Sequence, residues 1–123
     1  MTDTNPTTPD VLAHSARLLK ALADPIRLRL LNLLFDNGRE VCVCHLHEAL
    51  RLPQPTVSRH LAYLRKHGLV TTRRDEQWVY YRLARPAGDM HCALLGLIPL
   101  ADPEQGVRDR RCLNQAISCC GGP

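Results

Sequence analysis

No run of this sequence approaches the roughly 18 consecutive apolar residues that a membrane-spanning helix needs, so no membrane partner is expected. The opening stretch, Met1–Pro9, is polar and rich in Pro and Thr. It lacks both the basic segment and the apolar core of a secretory signal. The expectation is a cytoplasmic protein whose residues 1–9 form a disordered arm. Lysine is scarce: Lys20 and Lys66 are the only two, so a formal net charge of +4 is carried almost wholly by arginine. A mild basic balance permits a polyanionic partner without establishing one. No glycine-rich phosphate loop and no nucleophile beside a base is visible, so an enzyme is not expected. The six cysteines are not expected to form a disulfide framework in a reducing compartment. They read as free thiols, metal ligands or redox groups.

With 123 residues the chain is long enough for one domain. Its core is modest, so burying a helical face in a dimer would help it. Val11, Leu12, Ser15, Leu18, Leu19 and Leu22 recur at helical spacing. Asp24-Pro25 breaks that pattern and opens a second helix, apolar nearly all round from Ile26 to Phe35, which Asn37-Gly38 ends. A short segment, Val41 to Leu50, leads through the Arg51–Pro55 turn into an amphipathic helix from Thr56 to His67, with Val57, Leu61 and Leu64 as its buried stripe. After Gly68 the period changes to strands: Leu69–Arg74 and Trp78–Leu83, joined by Asp75-Glu76-Gln77. A last helix is expected over Asp89–Leu100, with Met90, Ala93, Leu94, Leu97 and Ile98 on its apolar face. The remaining residues, 104–123, read as a flexible cysteine-containing tail with at most a short helix around Arg108–Ile117.

Helix, short helix, tight turn, amphipathic helix and hairpin is the order of a winged helix-turn-helix. The predicted fold is mainly α with a small β-hairpin, occupying residues 10–103. At about 100° per residue, Thr56, Arg59, Tyr63 and Lys66 point away from the buried stripe, with Ser58 and His60 on its flanks. Gln54 and Thr56 stand at the helix start, where side chains and amides can approach base edges and phosphates. Arg59 suits a guanine edge and Gln54 an adenine. In the wing, Arg73, Arg74 and Gln77 are placed to clasp phosphates or enter a minor groove. The expected partner is double-stranded operator DNA.

Three separated runs resemble the ArsR/SmtB family of metal-sensing repressors: Leu19-Lys20-Ala21-Leu22-Ala23-Asp24-Pro25-Ile26-Arg27-Leu28-Arg29-Leu30-Leu31, Gln54 to Val70, and Trp78-Val79-Tyr80-Tyr81-Arg82-Leu83. The resemblance covers roughly residues 15 to 100. It implies a homodimer joined by the first and last helices, an operator with two-fold symmetry, and release of DNA when an inducer binds. Leu18, Leu22, Leu94, Leu97 and Ile98 are the candidates for dimer contacts, or else for intrachain core.

Glu40-Val41-Cys42-Val43-Cys44-His45-Leu46 resembles the cysteine motif of the arsenic-responsive members, which carry a further Cys three residues on. Here that position is His47. Trivalent arsenic and antimony are soft and want thiolates, for which histidine is a poor substitute. Two thiols can bind such a centre and a third would bind it more tightly. Cys119 and Cys120 are the first candidates, then Cys112, then Cys92. The resemblance therefore implies a repressor induced by As(III) or Sb(III), with Cys42, Cys44, Cys119 and Cys120 as ligands and no cofactor required. A zinc, cadmium or lead sensor and a thiol-based redox switch are the alternatives. Asp89-Met90-His91 also resembles the start of a zinc site on the last helix of zinc-sensing relatives, but the partners expected further on are missing, with Asp102 and Gln105 roughly there instead. Residues two apart on a helix face directions roughly 200° apart. If Cys42 and Cys44 lie in the first turn of the short helix, binding one ion is expected to distort or unwind that turn.

Overall fold

The computed structural model describes residues 7–38 and 40–120. Helix α1 (Thr7–Leu22) is followed at once by α2 (Pro25–Asn37). Asp24 starts α2 by accepting the backbone N–H groups of Ile26 and Arg27 at 2.8 and 3.1 Å, while Pro25 fits the first helical position. Gly38 stops it at φ 73°, and its N–H closes on the Leu34 carbonyl at 3.1 Å. The chain then forms β1 (Val41–Cys42), α3 (Val43–Leu50), α4 (Gln54–Lys66), β2 (Val70–Asp75) and β3 (Trp78–Leu83). It ends in α5 (Asp89–Leu97), a short 3-10 turn (Ile98–Leu100) and α6 (Pro103–Cys120).

The core is leucine-built. Leu30, Leu31, Leu33 and Leu34 of α2 are buried against Leu46, Ala49 and Leu50 of α3 and Val57, Leu61 and Leu64 of α4. That is why α2 reads as apolar nearly all round. The wing is the expected hairpin, with Thr72 opposite Tyr81 and Asp75 opposite Trp78. The sheet has a third strand, which the sequence pattern does not announce: β1 pairs antiparallel with β3, Cys42 opposite Tyr80, in the order β1-β3-β2. Two residues are too few to show a period.

Two expectations are corrected. Residues 104–120 are not a loose tail: α6 is a helix with Leu113, Ala116 and Asp109 buried. Its polar sequence hides a narrow apolar row whose cover is supplied by tertiary packing, chiefly against α3. Of the candidate dimer residues, Leu18 and Ile98 are buried within the protomer, and Leu22 and Leu94 are half-buried against the core. Leu97 alone of the candidates is exposed, at 56%, and the other large apolar side chains left on the outside of α1 and α5 are Val11, Leu12, Leu19 and Met90. The expected arm over residues 1–9 lies mostly outside the described residues, although α1 begins at Thr7.

Candidate nucleic-acid interface and thiol site

Helix α4 presents two faces with different occupations. Gln54 and Arg59 are exposed, Thr56 and Ser58 half-exposed, and Gln54 Nε2 donates to Ser58 Oγ at 3.1 Å. Lys66 is exposed at the far end. His60 and Tyr63, expected among the DNA-reading residues, turn towards α2 instead. Arg27 lies 4.2 Å over the Tyr63 ring, with its NH1 3.5 Å from His60 Nδ1. The same guanidinium donates to the Ala21 and Lys20 carbonyls at 2.7 and 3.3 Å, closing the end of α1. Tyr63 and His67 also stack, with ring centroids 4.5 Å apart. This cluster joins α1, α2 and α4, which gives both residues a structural task.

Between α4 and the wing lies a cleft of about 450 Å³ lined by Val43, Gln54, Ser58, Arg65, Thr72, Arg74, Val79 and Tyr81. Arg65 and Thr72 are additions to the expected set. Arg65 falls seven residues after Ser58, on the same side of the helix, and that spacing was the available signal. Burial pushes the Tyr81 phenol up, against the opposing fields of Arg65 and Arg74. Arg74 and Gln77 are exposed on the hairpin, as a phosphate-facing role requires. Arg73, expected to join them, is held by Glu40 in an ion pair of 2.6 Å.

The thiol pair sits where β1 becomes α3. Cys42 has extended backbone, φ −66° and ψ 139°, and caps the helix: its Sγ accepts the Cys44 backbone N–H at 3.4 Å. The two sulfurs are 2.6 Å apart. The expected obstacle therefore does not arise. Cys42 precedes the helix instead of lying within it, so both sulfurs converge without unwinding a turn. Cys42 is buried and Cys44 half-buried. His47 lies a turn further on, and its Nδ1–H donates to the Leu52 carbonyl at 3.2 Å, holding the turn before α4. Cys92 is exposed on α5, and Cys112 is half-buried on α6 beside Ala49 and Arg51, at the opposite end of α3 from the thiol pair. The backbones of Cys119 and Cys120 close α6; their side chains lie outside the described residues. At the alternative site on α5, His91 is buried, with Nδ1 accepting the Ala87 N–H at 3.0 Å, while Asp102 caps α6 through the Gln105 N–H, also at 3.0 Å. Among the described residues no group of three or more His, Cys, Asp or Glu side chains stands ready to hold a metal ion. No described helix is long and apolar enough to cross a membrane.

A tri-helical core with α3 and α4 joined by a tight turn and followed by a hairpin defines a winged helix-turn-helix protein. Residues 24–72 match the family model of the bacterial regulatory proteins of the arsR family. The chain is 53% identical over 66 residues to the arsenic resistance transcriptional regulator ArsR1 of Pseudomonas putida, covering 54% of this chain and 51% of that one. It is 45% identical over 67 residues to an HTH-type transcriptional regulator of Methanocaldococcus jannaschii, covering 54% of this chain and 74% of that one. Among solved structures, a homodimeric winged helix-turn-helix DNA-binding domain from Mycobacterium bovis, described as a possible ArsR-family regulator, superimposes with a TM-score of 0.66 at 32% identity, covering 85% and 92% of the two chains. The chain belongs to the ArsR family, a family of transcription regulators and not of enzymes. The match spans about half the length of the arsenic regulator.

Proposed function

We propose that the protein is a cytoplasmic homodimeric repressor that binds operator DNA and lets go of it when As(III) or Sb(III) binds the Cys42–Cys44 pair. The observation that carries this reading is the convergence of the two sulfurs to 2.6 Å at the start of α3. A soft trivalent ion bridging them satisfies its preference for thiolates. Val43, between them, lines the cleft shared by α4 and the wing. Cys42 is also the cross-strand partner of Tyr80 in β3. Spreading the sulfurs to ligand distance therefore moves the floor of the cleft and the root of the wing together, replacing the expected unwinding as the route of coupling. A coupling of about 1–3 kcal/mol weakens DNA binding several-fold to a hundredfold. The exposed apolar residues of α1 and α5, and the homodimeric relative from Mycobacterium bovis, support pairing through those helices.

The test is DNA release followed by fluorescence anisotropy under reducing conditions. Cys42→Ser/Cys44→Ser is expected to bind operator DNA as the natural chain does and to ignore arsenite. Release that persists in the variant rejects the reading. The short sulfur–sulfur distance also favours one rival, a redox switch through a Cys42–Cys44 disulfide. Release by peroxide and not by arsenite selects the rival.

A further inference from the structure

We infer that the cavity between the end of α3 and the first half of α6 is a binding site for a small molecule carrying two or more linked phosphate groups, held by Arg51, Arg108 and Arg111. The site stands apart from the thiol pair, at the opposite end of α3.

The cavity measures about 510 Å³, a size that suits a small molecule and exceeds a single ion. Four guanidinium groups line it, those of Arg29, Arg51, Arg108 and Arg111, against one carboxylate, Asp109. That carboxylate is already engaged. It accepts Arg29 Nε at 3.0 Å and NH2 at 2.8 Å, and its Oδ1 also accepts Gln105 Nε2 at 2.9 Å. Asp109 therefore cancels the charge of Arg29, and the surplus falls on the other three arginines.

Elsewhere the chain places arginine differently. Arg27, Arg73 and Arg110 each face a carboxylate, of Asp24, Glu40 and Asp36 respectively. Among the described residues, Arg51, Arg108 and Arg111 form no ion pair. Arg108 and Arg111 are three positions apart on α6, the spacing at which like charges on a helix oppose each other. Arg110, between them, turns away to Asp36 at 3.3 Å. Arg108 is positioned by a neutral group, its NH2 donating to Gln105 Oε1 at 3.1 Å, which leaves its charge uncompensated. Arg51 enters from the opposite wall, where α3 ends.

Gathering three like charges in one cavity opposes folding unless a counter-charge enters. Guanidinium forks match phosphate oxygens in planar pairs of hydrogen bonds. One phosphate would leave much of the cavity and of the charge unmatched; two or three linked phosphates meet both. A duplex also offers phosphates, but strung singly along an open backbone, whereas here the charges converge between two helices. The ligand would tie α6 to Arg51, the residue that opens the turn into α4, three positions ahead of Gln54.

The experiment uses the full reduced chain and inorganic pyrophosphate at constant ionic strength. Thermal unfolding gives one readout. The other is alkylation by neutral iodoacetamide of Cys112, half-buried in the cavity wall, with the exposed Cys92 as internal reference. Pyrophosphate should raise the melting temperature along a saturating curve and slow Cys112 several-fold relative to Cys92. Arg108→Gln/Arg111→Gln keeps good helix formers at exposed positions. By both readouts it should bind pyrophosphate at least about tenfold more weakly. Arg85→Gln/Arg110→Gln removes the same charge at exposed positions outside the cavity and should respond as the natural chain does. No saturable response in the natural chain, or equal responses in it and in Arg108→Gln/Arg111→Gln, overturns the inference. Protection of Cys112 by duplex DNA with none by pyrophosphate assigns the cavity to the DNA backbone and overturns it too. Arsenite release through Cys42 and Cys44 is untouched by each of these results, so the two readings fail separately.

Discussion

Arg73 holds Glu40 with two nitrogens, Nε at 3.0 and 3.1 Å from the carboxylate oxygens and NH2 at 2.6 Å from Oε1. The same guanidinium lies 4.5 Å over the ring of Tyr80. Glu40 is two residues ahead of Cys42, and Tyr80 is the cross-strand partner of Cys42. The pair therefore fastens the middle of the wing to the approach of the thiol site. Its hydrogen bonds from Arg73 hold the Glu40 carboxyl below the usual range. It also occupies a guanidinium that the wing would otherwise offer to a phosphate.

Freeing Arg73 is expected to strengthen DNA binding. Glu40→Gln should leave thermal stability nearly unchanged, since exposed ion pairs contribute little. Affinity for duplex DNA should rise, and the slope of log affinity against log salt should steepen by about one. Anisotropy titrations across a salt series measure both. An unchanged slope would mean that Arg73 serves only to brace the wing.

The Arg29–Asp109 pair carries a different weight, because the Asp109 side chain is almost wholly buried and Arg29 only partly exposed. Asp109 also accepts from Gln105 Nε2 at 2.9 Å. The side-chain hydrogen bond to Asp109 raises the Arg29 pKa, outweighing burial. Asp109→Ala leaves the partly buried Arg29 guanidinium without its carboxylate, a change that costs about 3 kcal/mol when a buried pair loses one partner. Urea denaturation should show that loss, and hydrogen exchange should show α6 released first. If α6 stays protected, its docking rests on Leu113 and Ala116 instead.

The helices α1 to α4 and the wing were legible because their signals are local: Asp24-Pro25, Asn37-Gly38, the Val57/Leu61/Leu64 stripe, and the alternation in β2 and β3. What was missed depends on distant partners. The polar sequence of α6 becomes a helix because Arg29 of α2 meets Asp109 and α3 covers Leu113. Strand β1 exists because Tyr80 and Tyr81 lie opposite it, and that pairing takes Cys42 out of the helix. His60 and Tyr63 have the phase of reading residues, but Arg27, more than thirty positions away, claims them. The thiol pair itself was visible as Cys-Val-Cys; its geometry was not.

Phosphate anchoring and base reading should separate by residue. Arg65 and Arg74 flank the cleft, so replacing either by Ala should weaken all duplexes alike and lower the salt slope by about one. Arg59 is exposed on α4, away from the buried Val57, Leu61 and Leu64. Arg59→Ala should cost about 1–3 kcal/mol on the operator and relax preference at one base pair. Binding selections on randomised duplexes distinguish the two patterns. A uniform loss from Arg59→Ala would reassign that residue to the backbone.

His91 should make the fold weaker in mild acid. Its ring is buried at the start of α5, and its Nδ1 accepts the Ala87 N–H, so the neutral ring carries its proton on Nε2. Protonation would set a new N–H against the Ala87 N–H. Burial, with a smaller contribution from His14, holds the His91 pKa below its ordinary value of 6.5. The unfolded chain then binds a proton that the folded chain refuses. Stability is full above pH 6.5 and falls as pH drops from there towards the folded-state value. His45, buried and shifted down in the same direction, adds to the slope in the natural chain. Comparing urea denaturation of the natural chain and His91→Gln at several pH values between 7.5 and 5 isolates the His91 share. The natural chain should lose more stability over that interval than the variant. Equal losses would mean that His91 finds room, or a partner, for its second proton.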